Sequence, residues 1–185
     1  MTSCSFNEVT VRGGKTMTSY YVTHGTADFL SKYYIQHRRE GLYYLHGQHE
    51  TMLLDNTGSK KSPFVGGTTY DIISTYGQLN IHDSVDSYIF SLSSEDELFL
   101  QELVRRIVSN TPEGLTYLAF GKRHHQTPFS LILGWENSQA RVAFKKADYY
   151  HKLEKLLYDT PAGQLDYGII TNYNVSNPEI PHEKI

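Results

Sequence analysis

The chain has 185 residues and a formal net charge of −3 at neutral pH, with 20% charged and 39% hydrophobic residues. This composition is typical of a globular protein and excludes a disordered or fibrous chain, and the weak negative charge gives no reason to expect nucleic acid or an anionic membrane as a partner. The single cysteine, Cys4, excludes a disulfide framework or a cysteine-based metal site within one chain.

The first 16 residues, MTSCSFNEVTVRGGKT, show no sustained periodicity, and the first clear strand pattern follows Met17. The segment Arg12-Gly13-Gly14 can be encoded by a purine-rich run of the kind found in bacterial ribosome-binding sites, a few codons before Met17. We therefore hypothesise that Met17 is the native start and that residues 1–16 are translated leader. The alternative is a short disordered tail.

Residues 17–80 are predicted to form an N-terminal α+β unit with the element order β-α-β-β-α. The strands are indicated by β-branched and aromatic residues, and the breaks between elements by glycine-rich and Asp-Asn-Thr-Gly segments. The predicted elements are a strand over Ser19–Val22, a helix over Ala27–His37 capped by Thr26, strands over Leu42–Leu45 and Glu50–Leu54, and a short helix from Thr68 to Tyr76 ended by Gly77.

Residues 81–175 have the order β-α-β-β-α-β, which is that of a ferredoxin-like domain. Residues 176–185 are expected to be a frayed tail. The predicted elements are a strand over Ser87–Leu92, a helix from Ser93 or Ser94 with Leu100, Leu103, Val104 and Ile107 on its apolar face, strands over Leu115–Gly121 and Phe129–Glu136, a helix from about Ser138 to Leu157, and a last strand over Leu165–Tyr173.

Each predicted unit is small and would leave one face of its sheet uncovered. Such a face is usually covered by a second copy of the unit, from the same chain or from a partner. We therefore expect an α+β fold in which one half packs on the other, or in which the protein dimerises.

Two regions of the sequence carry a family resemblance. The first contains YYVTHGTADFL, LYYLHGQHETMLL and TTYDIISTYG, between Tyr20 and Gly77, and the second is LILGWENSQARVAF, from Leu131 to Phe144. Together they resemble a two-domain group with a C-terminal ABM domain, named for the antibiotic biosynthesis monooxygenases. One branch of this group is the haem-degrading monooxygenase of bacilli, and the other is the signal-transduction protein TRAP, target of RNAIII-activating protein. The resemblance implies a fold of the dimeric α+β-barrel type.

The resemblance also implies where haem-cleaving residues would lie. Enzymes of this type use a helix histidine on the iron, a tryptophan that presses on the porphyrin, and an asparagine from the first ABM strand. The corresponding positions are Glu154, Phe144 and the strand Ser87–Leu92, which has no amide. All three depart from the oxygenase pattern, while Trp135 is expected to be a core residue.

An alternative haem face remains open on the predicted helix. Phe144, Ala147 and His151 have the spacing i, i+3 and i+7, which places them on one side of a continuous helix. A small alanine between an aromatic ring and an imidazole would admit the edge of a flat macrocycle, with His151 as the iron ligand. The other interpretation of His151 is a half-buried or solvated helix histidine.

The remaining histidines give weaker signals. His124 and His125 lie in a basic turn and are expected to point in different directions, which disfavours chelation. His46 and His49 flank a Gly-Gln turn but lack an evident third metal ligand. The TRAP branch has been described as histidine-phosphorylated, and the resemblance implies His82 as the position of a phosphohistidine.

These observations predict a TRAP-like regulatory or stress-response protein of a Gram-positive bacterium, with no cofactor and without the haem-cleaving residues. It would act through protein partners or self-association. The alternatives are a haem-degrading monooxygenase that forms a biliverdin-type product and iron, and a haem-binding module, both using His151. No apolar run approaches the roughly 18 residues that cross a bilayer, so we expect a cytoplasmic protein whose membrane association would be peripheral.

Overall fold

A computed structural model describes residues 18–158 and 169–178. The predicted leader and Met17 lie outside these residues, as does most of the predicted tail. Within the described ranges the chain forms eight strands and four helices. They are β1 (Ser19–Gly25), α1 (Ala27–His37), β2 (Leu42–Gly47), β3 (Thr51–Asp55), β4 (Thr68–Gly77), β5 (Ser84–Phe90), α2 (Ser94–Ser109), β6 (Leu115–Arg123), β7 (Phe129–Trp135), α3 (Ser138–Lys145), α4 (Asp148–Tyr158) and β8 (Ile169–Ser176).

The eight strands form one closed antiparallel barrel in the order β1-β3-β2-β8-β5-β7-β6-β4. The first half contributes β4-β1-β3-β2 and the second half β8-β5-β7-β6, so both halves have the strand order of a ferredoxin-like sheet. The halves join where Leu45 pairs with Val175 and where Thr75 pairs with Ala119. Each half therefore covers the other within a single chain, which is the first of the two arrangements expected from the sequence. Self-association stays a prediction.

The helix predicted from Thr68 to Tyr76 is wrong, because this segment is strand β4. It pairs with β1 on one side and with β6 on the other, with a register shift between Ile72 and Ser74. Its β-branched and aromatic residues suit a strand that has neighbours on both edges. The order of the first half is therefore β-α-β-β-β, and a loop over residues 56–67 stands where a second helix would follow β3.

The single helix predicted from Ser138 to Leu157 is divided into α3 and α4. The break falls at Lys146 and Ala147, whose backbone N–H groups donate to the carbonyl oxygens of Ala143 and Phe144 at 3.1 and 2.9 Å. These tight i to i−3 hydrogen bonds end the α-helical ladder. The argument that Phe144, Ala147 and His151 share one helix face therefore does not hold across the break.

The other predicted elements are confirmed where they lie within the described residues, with ends that differ by a few residues, and residues 165–168 of the last predicted strand lie outside the described ranges. Helix α1 has the predicted bounds, although the Thr26 side chain makes no capping hydrogen bond. The Ser93 hydroxyl does cap α2, accepting from the Asp96 N–H at 3.3 Å. None of the described helices is long and apolar enough to cross a membrane.

The core has three parts, which the barrel wall separates. One part fills the barrel interior, a second lies outside the barrel between the second half and α2, α3 and α4, and a third lies under α1. Strand β5 shows the division residue by residue. Val85 and Ile89 point into the barrel, while Tyr88 and Phe90 point outward to the helices, as the period of two of a strand requires.

Candidate functional site on the helix face

We call the outward side of β5, β6 and β7, together with the helices α3 and α4 that cover it, the helix face. The position of α3 follows from its N-cap, because the Asn137 side chain accepts the Ala140 N–H at 2.9 Å directly after β7 ends. This start places Phe144 over the sheet. Its side chain is only 3% exposed, and its ring centroid lies 4.8 Å from that of Trp135 and 6.1 Å from that of Tyr150.

His151 lies on the outer side of α4. Its side chain is 63% exposed, and its Nδ1 atom is 3.8 Å from a carboxylate oxygen of Glu154. Ala147 lies between the two helices at the break. Of the three residues predicted to form a haem face, Phe144 is therefore buried in the core and His151 faces solvent, so the structure does not bring them to a common slot.

The helix face contains a cluster of buried polar atoms that the sequence analysis missed. Asp86 is fully buried, and its nearest cation is Arg141, whose Nη1 atom is 3.9 Å from Oδ1. Among the described residues, both Asp86 carboxylate oxygens, the Tyr88 hydroxyl, the Trp135 Nε1–H and Arg141 Nε make no hydrogen bond of ordinary geometry, although the Trp135 indole is near enough to Asp86 to lower the pKa of that carboxyl. Buried polar atoms in native proteins nearly always have partners, so this concentration of unpartnered atoms marks a candidate site.

Burial changes the protonation chemistry of this cluster. It raises the pKa of the Asp86 carboxyl, and the positive charges of Lys145 and Arg141 oppose that change. Burial also raises the pKa of the Tyr88 hydroxyl, with a further contribution from the charge of Asp86. The arrangement can therefore hold a proton on a buried carboxyl group and offer hydroxyl, indole and guanidinium donors to a small acceptor.

The sequence nevertheless contains a signal for Asp86. The predicted strand starts at Ser87, so Asp86 falls outside it. In the segment SVDSYIF, however, Asp86 alternates with Val85 and shares the outward side with Tyr88 and Phe90. A charged residue at an inner position of an alternating strand is a sign of a buried polar site.

Comparisons with known proteins place the chain by its fold. No family model matches the sequence, and no curated protein matches it. Among solved structures, a Listeria monocytogenes ferredoxin-fold protein related to antibiotic biosynthesis monooxygenases has a TM-score of 0.76 and 19% identity, covering 89% of this chain and 96% of its own. The fold is that of the ABM proteins.

Two further solved structures with this fold have different functions. LmHde, a haem-degrading enzyme from Listeria monocytogenes, has a TM-score of 0.71 and 16% identity over 84% of this chain and 98% of its own. A major regulator of staphylococcal pathogenesis has a TM-score of 0.71 and 15% identity over 85% of this chain and 98% of its own. The same fold thus serves both haem chemistry and regulation, and identities this low show the fold alone.

The helix face can be tested for its fit to haem. A porphyrin needs a flat slot and an axial ligand directed into it. Here Phe144 packs against both Trp135 and Tyr150 where such a slot would have to open, and the His151 side chain is exposed to solvent. The residues of the helix face, in this arrangement, do not fit haem.

The other histidines lie apart from the helix face. His82 is exposed in the turn before β5, in the left-handed backbone region with φ of 73°, and its N–H donates to the Val175 carbonyl at 3.0 Å. The rings of His124 and His125 lie 3.8 Å apart, so the expectation that they point in different directions is wrong. His124 Nδ1 is 2.8 Å from a carboxylate oxygen of Asp71 on β4, and this contact orients the His124 ring.

Candidate metal ligands are not concentrated anywhere in the described part of the chain. His46 and His49 are both exposed near the turn between β2 and β3. Within residues 18–158 and 169–178 there is no group of three or more histidine, cysteine, aspartate or glutamate residues placed to hold a metal ion.

Proposed function

We propose that this chain is a regulatory protein built on the ABM fold and that it does not bind haem stoichiometrically or cleave it. The observation that carries the proposal is the packing of Phe144 on Trp135, with His151 on the opposite, solvent side of the helices. A side chain that is 3% exposed and in ring contact on two sides contributes to the core, and opening a slot there would cost that packing free energy.

The proposal extends to how the protein acts. A regulator of this kind acts through protein partners or self-association, and the TRAP resemblance assigns a phosphohistidine to His82. The exposure of His82 supports this assignment, because a kinase needs access to the imidazole. His82 lies two residues before Ser84, the first residue of β5, and β5 pairs with β7 on one edge and with β8 on the other. A phosphate on His82 would therefore lie close to the start of this strand.

Haemin titration into the purified full chain tests the haem part of the proposal. We expect no sharp Soret band at one equivalent, and no product formation when a reductant is added in air. Deletion of the encoding gene tests the regulatory part: transcript levels should change, and both the unmodified chain and a His151→Ala variant should restore them. A His82→Gln variant that fails to restore them would support phosphorylation, whereas restoration by this variant would exclude it.

The second candidate function is a haem-degrading monooxygenase or haem-binding module that uses His151. One observation favours a ligand on the helix face, namely the unpartnered polar atoms of Asp86, Tyr88 and Trp135. This function requires α3 and α4 to move away from the sheet. A Soret band at one equivalent that is lost in His151→Ala but kept in His46→Ala would establish this candidate, and decay of the band with reductant would establish cleavage.

A further inference from the structure

The barrel interior contains a cavity of about 190 Å³ at the end where β1 finishes and β8 begins. Apolar and aromatic side chains form its walls, with Val22 and Tyr70 from the first half and Ile89 and Tyr173 from the second. The cavity therefore exists only because the two halves close into one barrel. The cavity lies on the opposite side of β5 from the helix face. Whether the helix face binds haem therefore has no bearing on this cavity.

Polar side chains from both halves of the chain also line this cavity. His24 stands at its mouth, and Glu50 precedes β3 beside it. The Tyr173 hydroxyl donates to the Glu50 carboxylate at 2.6 Å and is thereby held in one orientation. Three further hydroxyl-bearing side chains complete the lining, namely Ser87, Ser130 and Thr171.

The protonation states of these groups are set by burial. The His24 side chain is exposed at the cavity mouth, yet desolvation by its surroundings lowers the pKa of its imidazole, and the nearby Glu50 charge opposes this change. A neutral imidazole presents one N–H donor and one nitrogen acceptor. Burial and the Glu50 hydrogen bond raise the pKa of Tyr173, so its hydroxyl keeps its proton. Glu50 is the one acidic residue of the cavity lining, and none of the lining residues is a lysine or an arginine.

Size and charge restrict what this cavity can hold. An apolar cavity of about 150 Å³ accommodates one benzene molecule, so 190 Å³ fits one aromatic ring with a few polar substituents. The Glu50 carboxylate repels an anionic ligand. The imidazole and the three hydroxyl groups both donate and accept hydrogen bonds, which matches ring hydroxyls better than an ammonium group that can only donate.

We propose that the barrel cavity is a binding site for a small uncharged phenol with a single ring, whose hydroxyl groups bond to His24, Glu50 and the cavity hydroxyls while its ring packs between Tyr70 and Tyr173. This site goes beyond the proposed function, because it uses no residue of the helix face. The proposed ligand of the barrel interior is defined by its hydroxyl groups, its single-ring size and its lack of charge.

The test uses resorcinol as the probe with the full chain, measured by isothermal titration calorimetry and by saturation-transfer NMR. Toluene tests the need for hydroxyl groups, and benzoate tests the effect of negative charge. We expect one resorcinol site and at least about tenfold weaker binding of benzoate and of toluene, since each loses one or more hydrogen bonds or meets the Glu50 charge.

Two variants locate the site, each with a matched surface control. Ser87→Leu fills the cavity and should abolish binding, whereas Ser109→Leu on the exposed end of α2 should not change it. His24→Gln should weaken binding about fivefold through one lost hydrogen bond, whereas His37→Gln should not. Should Ser87→Leu fail to fold, the amide NMR signals of His24 and Ser130 in the unmodified chain must shift with resorcinol.

Three results would overturn the proposal. The first is the absence of saturable resorcinol binding. The second is resorcinol binding that persists in a folded Ser87→Leu variant, or that leaves the His24 and Ser130 signals unshifted. The third is benzoate binding as tight as that of resorcinol. The haemin titration has no bearing on these outcomes, so failure here and failure of the proposed function are distinguishable.

Discussion

Phe144 and Trp135 are in tilted ring contact in the core beneath α3, with ring centroids 4.8 Å apart and an angle of 35° between their planes. Trp135 is the last residue of β7, and Phe144 is near the end of the next helix. The connection between them is short, because Asn137 caps α3 immediately after the strand. This contact makes Phe144 part of the core of the helix face, which supports the proposal that this face does not hold haem.

Replacing Phe144 by alanine should therefore destabilise the protein strongly. Removing a fully buried phenylalanine costs about 3–5 kcal/mol of unfolding free energy. Phe29→Ala is the matched control, because that side chain is 67% exposed on α1, and it should change the free energy by less than about 0.5 kcal/mol. Urea unfolding of both variants measures the difference. Equal effects would contradict the assignment of Phe144 to the core.

Gly77 and Gly66 offer a second matched pair. Both have positive φ, of 64° and 76°, so alanine at either position pays about 1–2 kcal/mol for the left-handed conformation. At Gly77 a Cβ atom would also lie 1.9 Å from the Thr116 carbonyl oxygen, whereas nothing lies within 4 Å of it at Gly66. Gly77→Ala should consequently lower the melting temperature well beyond Gly66→Ala. Similar melting temperatures would argue against the close approach of β4 and β6.

His24 should make the protein sensitive to mild acid. Although its side chain is exposed, desolvation by neighbouring residues lowers the pKa of this imidazole in the folded state, so as pH falls the unfolded chain takes up a proton first. Stability is then full above the unfolded pKa of about 6.5 and declines as pH falls from there towards the folded pKa. His24→Gln should flatten this decline, and His37→Gln should not. Chemical denaturation at pH 7.5, 6.5 and 5.5 provides the measurement, and parallel curves for all three proteins would refute the prediction.

Asp86 should produce the opposite pH dependence. Burial raises the pKa of this carboxyl above its unfolded value of about 3.9, so the folded state holds the proton longer as pH rises. Each pH unit between the two pKa values costs the native protein about 1.4 kcal/mol. Asp86→Asn lacks this cost, so its stability relative to the unmodified chain should increase from pH 4 upward.

The control for this prediction is Glu113→Gln, in the exposed loop after α2. Its stability difference from the unmodified chain should be constant over the same pH range. An Asp86→Asn difference that is also constant would mean that Arg141 and Lys145 fully offset the burial of the carboxylate.

Local patterns in the sequence were sufficient to predict most helices and strands of the second half. Helix α2 could be predicted because its cap and the repeat of Leu100, Leu103, Val104 and Ile107 depend only on residues within four positions of one another. The same holds for α1 and for the turns that end β2 and β3. The ferredoxin-like order of the second half follows directly from these elements.

Segment 68–77 shows where local patterns fail. Its ten residues have a β-branched and aromatic composition and end in a glycine, which is compatible with a short helix or a strand. The choice depends on pairing with β1 and β6. Tyr70 pairs with Tyr20 of β1 and with Arg123 of β6, and each partner lies about 50 residues away along the chain. Similarly, the break between α3 and α4 moves His151 out to solvent, although the sequence suggests one continuous helix.

The sequence by itself thus determined the element types of the second half and indicated the ABM-type fold, while the departure from haem-cleaving residues stays a prediction. Only the tertiary structure decided that the halves close into one barrel, that Asp86 is buried with Tyr88 and Trp135, and that His24, Glu50 and Tyr173 surround a cavity. The physical reason is that helix caps and periodicities are local interactions, whereas burial and cavities arise from contacts between residues that are distant in the chain.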